Sequence, residues 1–173
     1  MRGSIEIWDT GNLKHVARHA FKDPPGSVTW IDSHADSWWV CFAHYDAPKG
    51  EPGKDNSASV LVKYNERWRE QGRWKFPAQV LQKFSPYSAS GGAWGPRSLL
   101  YCTGHDRAEL YAFRIPPSDA SPPQTELQLV RVVPTPSHGQ GIAWDRDTPG
   151  LLYSVQRRKK AVFVSRLTNG EAE

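Results

Sequence analysis

The stretch Leu99-Leu100-Tyr101-Cys102-Thr103-Gly104-His105 has two gapless counterparts, Trp38-Trp39-Val40-Cys41-Phe42-Ala43-His44 and Leu151-Leu152-Tyr153-Ser154-Val155-Gln156-Arg157. Each is preceded by a short segment that ends in tryptophan: Gly26-Ser27-Val28-Thr29-Trp30, Ser90-Gly91-Gly92-Ala93-Trp94 and Gln140-Gly141-Ile142-Ala143-Trp144. Each is followed by an apolar run: Ser59–Tyr64, Glu109–Arg114 and Ala161–Arg166. The opening segment Ser4–Asp9 matches this third run. A more polar fourth run comes next, at His15–Phe21, Gln71–Phe76 and Leu127–Val133. Alternation with a period of two, in β-branched and aromatic residues, predicts strands throughout.

Thirteen strands result, in groups of two, four, four and three. Four antiparallel strands per repeat, at spacings of about 50 to 65 residues, describe blades of a β-propeller with loop insertions. The expected fold class is all-β, with about three and a quarter four-stranded blades in a partial ring. Glycines such as Gly91, Gly92 and Gly141 suit crowded inner strands. The tryptophans would fill the space between blades, each wanting a partner for its indole N–H. Cys41 and Cys102 share one repeat position with Ser154, so they read as small buried packing residues, not a disulfide or a metal pair.

Bulk properties agree with one folded domain over residues 1–173. The 173-residue chain is long enough to bury a core, and its 8 Trp, 6 Tyr and 6 Phe argue against disorder. The 14 Pro and 14 Gly break it into short segments. Because a ring needs four to eight blades and the opening falls within a blade, the chain is expected to be incomplete at its amino terminus. The alternative is that two copies associate to cover the open blades. The formal charge is +4, much of it in Arg157-Arg158-Lys159-Lys160, which reads as a solvated hairpin turn. No broad basic face argues for nucleic acid. No apolar run approaches a membrane span, and Met1–Glu6 lacks the apolar core of a secretory leader. Read from Met1, the chain is expected to be soluble and cytoplasmic.

Three insertions interrupt the repeat. Asp46–Ala58 reads as a surface loop and Pro116–Thr125 as a solvated connector. Within Pro77–Tyr87, Val80, Leu81 and Phe84 sit at helical spacing behind a proline, predicting a short helix that caps the sheets.

The strand pattern resembles the broad group of bacterial propellers that includes sugar-lactone lactonases, seven-bladed lactonases and NHL-type binding propellers. Trp8-Asp9 and Trp144-Asp145 are similar to WD40 repeat ends, but they fall on different strands and lack the Gly-His partner. Ser90–Pro96 and Gly139–Asp145 also resemble segments of an uncharacterised bacterial β-propeller family, which implies no activity.

Propeller topology places the loops after second strands, and those between blades, at one face. His44, His105 and Arg157 close successive second strands. Asp46 and Asp106 follow closely. Tyr87, Ser88, Ser90, His138 and Gln140 lie between blades. The expectation is a binding module for a small molecule or protein, with His44, Asp46, Tyr87, Ser90, His105, Asp106, His138, Gln140 and Arg157 forming a polar rim. In the alternative, His44, His105 and His138 hold a divalent metal that activates water for a hydrolase or lactonase. A third reading makes these histidines structural, bonded to the backbone of neighbouring blades. His15, His19 and His34 read as surface or structural residues. No phosphate loop or nucleophile elbow is present.

Overall fold

A computed structural model of the chain describes residues 3–117 and 124–167. It is an all-β structure of four antiparallel sheets. The first sheet holds β1 (Ser4–Trp8) and β2 (His15–Ala20). The second runs β3 (Ser27–His34), β4 (Ser37–Ala43), β5 (Val60–Asn65) and β6 (Glu70–Lys75) in chain order. The third runs β7 (Gly91–Gly95), β8 (Leu99–Thr103), β9 (Glu109–Arg114) and β10 (Gln128–Pro134). The fourth holds β11 (Ile142–Trp144), β12 (Leu151–Gln156) and β13 (Ala161–Arg166).

Alternation along the middle strands explains how the sheets stack. Val40 and Phe42 of β4, with Val60 and Val62 of β5, face a core shared with Ile5 of the first sheet and with Phe21, just after β2. Trp39 and Cys41 of β4, with Leu61 of β5, face the opposite way. They meet Leu100, Cys102, Tyr111 and Phe113 of the third sheet. Leu99, Tyr101, Leu110 and Ala112 then turn from the third sheet to Leu152 of the fourth. Each of the three cores therefore lies between successive sheets. Period two in the backbone sends neighbouring residues into different cores. This is why β4, β5, β8 and β9 read as nearly continuous apolar runs.

The first strands β3, β7 and β11 lie side by side. Their approach is close at β7. A Cβ on Gly92 would stand 2.4 Å from the Trp30 indole, and one on Gly91 would stand 2.2 Å from the Gln140 carbonyl oxygen. Gly141 is different: nothing lies within 4 Å of its Cβ position, so crowding does not explain it. The strand expected from Gln140 begins instead at Ile142, because Gly139 and Gln140 are left-handed (φ 62° and 78°). The indole N–H groups of Trp30, Trp94 and Trp144 are buried without a partner among the described residues, against the expectation that each finds one.

The expected helix is α1 (Ala78–Phe84). Its Val80, Leu81 and Phe84 enter the core between the second and third sheets, each worth about 1.5–3 kcal/mol relative to exposure. The helix stops at Ser85, whose extended backbone suits the proline that follows it. Cys41 and Cys102 are free and buried, as the repeat register implies. Arg157–Lys160 forms an exposed turn between β12 and β13. Of the Pro116–Thr125 connector, residues 118–123 lie outside the described set, as does the segment 168–173. Among the described residues, no helix is long and apolar enough to cross a membrane.

Candidate functional site

The meander fixes where the loops emerge. In the second sheet, β3 runs from Ser27 at one end to His34 at the other, roughly 25 Å away at 3.3 Å per residue. β4 returns to the Ser27 end, so His44 and the 44–59 loop lie there. The same order in the third and fourth sheets brings His105 and Arg157 to the corresponding ends. Contacts across loops join these ends: the Asp46 N–H donates to the Pro86 carbonyl at 2.9 Å, and the Ser88 hydroxyl donates to Ser59 Oγ at 2.8 Å.

Five of the nine expected residues line one cleft. His105, Asp106, His138, Gln140 and Arg157 surround a volume of about 380 Å³, together with Gln156 and Arg158. The His105 ring donates from Nδ1 to the Asp106 carboxylate at 2.7 Å. His138 donates from Nδ1 to the Asp106 backbone oxygen at 2.9 Å. The acceptors set this proton placement, which leaves both Nε2 atoms without a protein partner among the described residues. Gln140 is held in its left-handed conformation by Thr103, whose hydroxyl donates to the Gln140 carbonyl at 2.6 Å.

The other four residues serve different ends. His44 is 5% exposed and lines a separate cleft of about 290 Å³ with Tyr45, Lys49 and Glu51. Its Nε2 donates to the Pro25 carbonyl at 2.6 Å, and its backbone N–H donates to Ser59 Oγ at 2.9 Å. Both oxygens of Asp46 are engaged, one by the Asn56 N–H at 2.8 Å and one by the Ser85 hydroxyl at 2.6 Å. Ser90 bonds the Thr103 carbonyl through its N–H. Tyr87 stands between the two clefts. Its ring stacks on His105 at 3.7 Å and meets the edge of Tyr45 at 5.4 Å. Lys49 lies over the same ring and bonds its hydroxyl.

The three-histidine metal set is not brought together. Among the described residues, no three His, Cys, Asp or Glu side chains are grouped to hold a metal ion. The reason is local: the His44 ring is turned to a loop carbonyl beside its own sheet, while His105 and His138 share Asp106.

Sequence reasoning missed several residues. Gln156 and Arg158 belong to the His105 cleft, where the sequence reads only as strand interior and turn. Lys49 and Asn56 lay in a segment read only as surface loop. The Asn56 amide in fact donates to the Leu81 and Tyr87 carbonyls, tying the loop to α1. A larger cleft, about 580 Å³, lies at the opposite end of the inner strands, where His34 stacks on Trp94 at 4.2 Å. Its carboxylates are already committed: Asp32 accepts the Trp94 backbone N–H at 2.7 Å, and Asp145 accepts the Tyr153 hydroxyl at 2.9 Å.

No family model and no curated protein matches this sequence. Among solved structures, the chain is similar to the hydrazine synthase of Kuenenia stuttgartiensis, with 13% identity and a TM-score of 0.52. The match covers 96% of this chain and 52% of that one. It is also similar to a protein of unknown function from Bacteroides caccae, with 10% identity and a TM-score of 0.46 over 91% of this chain and 52% of that one. The chain thus spans about half the length of each. At such identity, the likeness to the first bears on the fold alone.

Proposed function

We propose that the four sheets are successive blades of a β-propeller, and that the chain is a binding module whose ligand sits in the cleft of His105, Asp106, His138, Gln140 and Arg157. Support for the blades comes from the side-by-side first strands and from one core between each pair of neighbouring sheets. One observation carries the binding reading: three segments distant in sequence deliver polar side chains to a single concavity. Concave sites with a few convergent polar groups are where small ligands bind.

Nitrogen-15 NMR tests this with a mixed panel of monosaccharides, amino acids, carboxylates and phosphates. Amide shifts should cluster at residues 104–106, 138–141 and 155–158. Shifts that map instead to the cleft at His34, or to no cleft at all, would remove the reading.

The metal-dependent hydrolase reading keeps one supporting observation. His105 and His138 each have Nδ1 engaged and Nε2 open, the arrangement found in metal-binding histidines. Against it stand two guanidinium groups on the same wall, which oppose a cation. Titration with zinc separates the two: one equivalent bound, and lost in His105→Ala/His138→Ala, would favour the hydrolase.

A further inference from the structure

We infer that this cleft takes a small oxyanion, a carboxylate or a phosphate, held by the Gln156 amide at its floor and by Arg157 and Arg158 on its wall. The inference rests on the binding reading above and assigns its ligand class.

Gln156 is the main evidence. The residue is 4% exposed as a whole and lines the cleft, and its side-chain amide makes no hydrogen bond to another described residue. The amide is not among the fully buried side-chain groups left without a partner, so it keeps its access to the cleft and is free to bond what enters it. Its repeat position sharpens the point. The counterparts of Gln156 are Ala43 and Gly104, which carry no polar group. Packing at this position therefore does not call for an amide, and only the copy facing the cleft has one.

The charge balance points the same way. Arg157 and Arg158 form no ion pair among the described residues, and both are exposed. The single carboxylate of the lining, Asp106, already accepts the His105 N–H. Two unopposed guanidinium forks match the oxygens of a carboxylate or phosphate in paired hydrogen bonds. The amide N–H₂ of Gln156 adds a donor from below. The left-handed, non-glycine Gln140 in the same wall is a strained conformation of the sort that gathers at ligand sites.

Isothermal titration on the full chain at low ionic strength tests this, with inorganic phosphate, malonate and glucose as probes. Phosphate or malonate should bind with one-to-one stoichiometry; which of them binds tighter identifies the oxyanion. Arg157→Gln/Arg158→Gln should weaken it by about tenfold or more, as expected for charged hydrogen-bond partners. Gln156→Leu should weaken it by a similar factor without lowering Tm. Should that variant not fold, Gln156→Glu places a like charge on the floor and should abolish anion binding. Lys159→Gln/Lys160→Gln removes equal charge outside the lining and should change affinity by less than about twofold.

An equal loss in the Lys159/Lys160 variant would mean diffuse attraction and overturn the inference. So would absence of phosphate and malonate binding. Glucose binding that depends on Gln156, without anion binding, would overturn the oxyanion class while leaving the cleft a ligand site. Failure of the binding reading itself appears separately, as NMR shifts away from the cleft with every probe.

Discussion

Gly92→Ala tests the arrangement from which the site follows. The added Cβ would stand 2.4 Å from two atoms of the Trp30 indole, inside any real contact distance. Trp30 cannot easily yield, since it is buried in the same core as Trp39 and Trp74. Relief must come from separating β3 and β7, or from driving Trp30 off its rotamer. Overpacking of this kind costs about 1–3 kcal/mol. At about 2–4 °C per kcal/mol for a chain of this size, Tm should fall by about 2–12 °C. Gly141→Ala is the control, with nothing within 4 Å and no left-handed backbone. It should be neutral, or stabilise by up to about 1 kcal/mol through the unfolded chain. In a Trp30→Leu background the cost of Gly92→Ala should drop below about 0.5 kcal/mol, because the two residues are coupled by contact. Thermal and urea melts of the wild type and these four variants suffice. Gly92→Ala as mild as Gly141→Ala would refute the side-by-side packing of first strands.

Ser59→Ala should cost about 1–3 kcal/mol in urea melts, since the fully buried hydroxyl accepts from the His44 N–H and from Ser88; a loss under about 0.5 kcal/mol would contradict that role. Burial pushes the Cys41 thiol up to about 12 and raises Cys102 as well. Neither should react with a thiol reagent in native buffer, and both should react in denaturant. Burial lowers the pKa of His19, whose ring stacks on Trp68 at 4.0 Å. The folded state therefore disfavours its proton. Stability from this residue is present above the ordinary value near 6.5 and is lost as pH falls below it toward the folded pKa. An NMR midpoint at or above 6.5 would oppose this.

The strands were legible because the middle ones are apolar on both faces. Trp38–His44 and Leu99–His105 supply two cores at once, and so align without gaps. Boundaries failed where the backbone turns left-handed, as at Gly139 and Gln140, which no side-chain pattern announces. The placing of His105, His138 and Arg157 at one end was legible from topology, since the loops that follow β8, β10 and β12 emerge there whatever their packing. Side-chain commitments were not. Nothing in the sequence says that Asp46 would bond Asn56 and Ser85, or that the His44 ring would turn to Pro25. Gln156 had a usable signal in the repeat register, where it stands opposite Ala43 and Gly104. The cleft at His34 had none, because a His–Trp stack between strands 60 residues apart leaves no mark on local spacing.

The sharing of cores ties each sheet to the next along the chain. Among the described residues, the second and third sheets each contribute to cores on both faces, while the first and fourth each contribute to one. On β13, Val162 and Val164 remain 62% and 58% exposed. Arg157 and Arg158 follow β12 of the fourth sheet, whereas His105 and Asp106 follow β8 of the third. A guest bridging the two would act as a rivet, tightening the fourth sheet against the third.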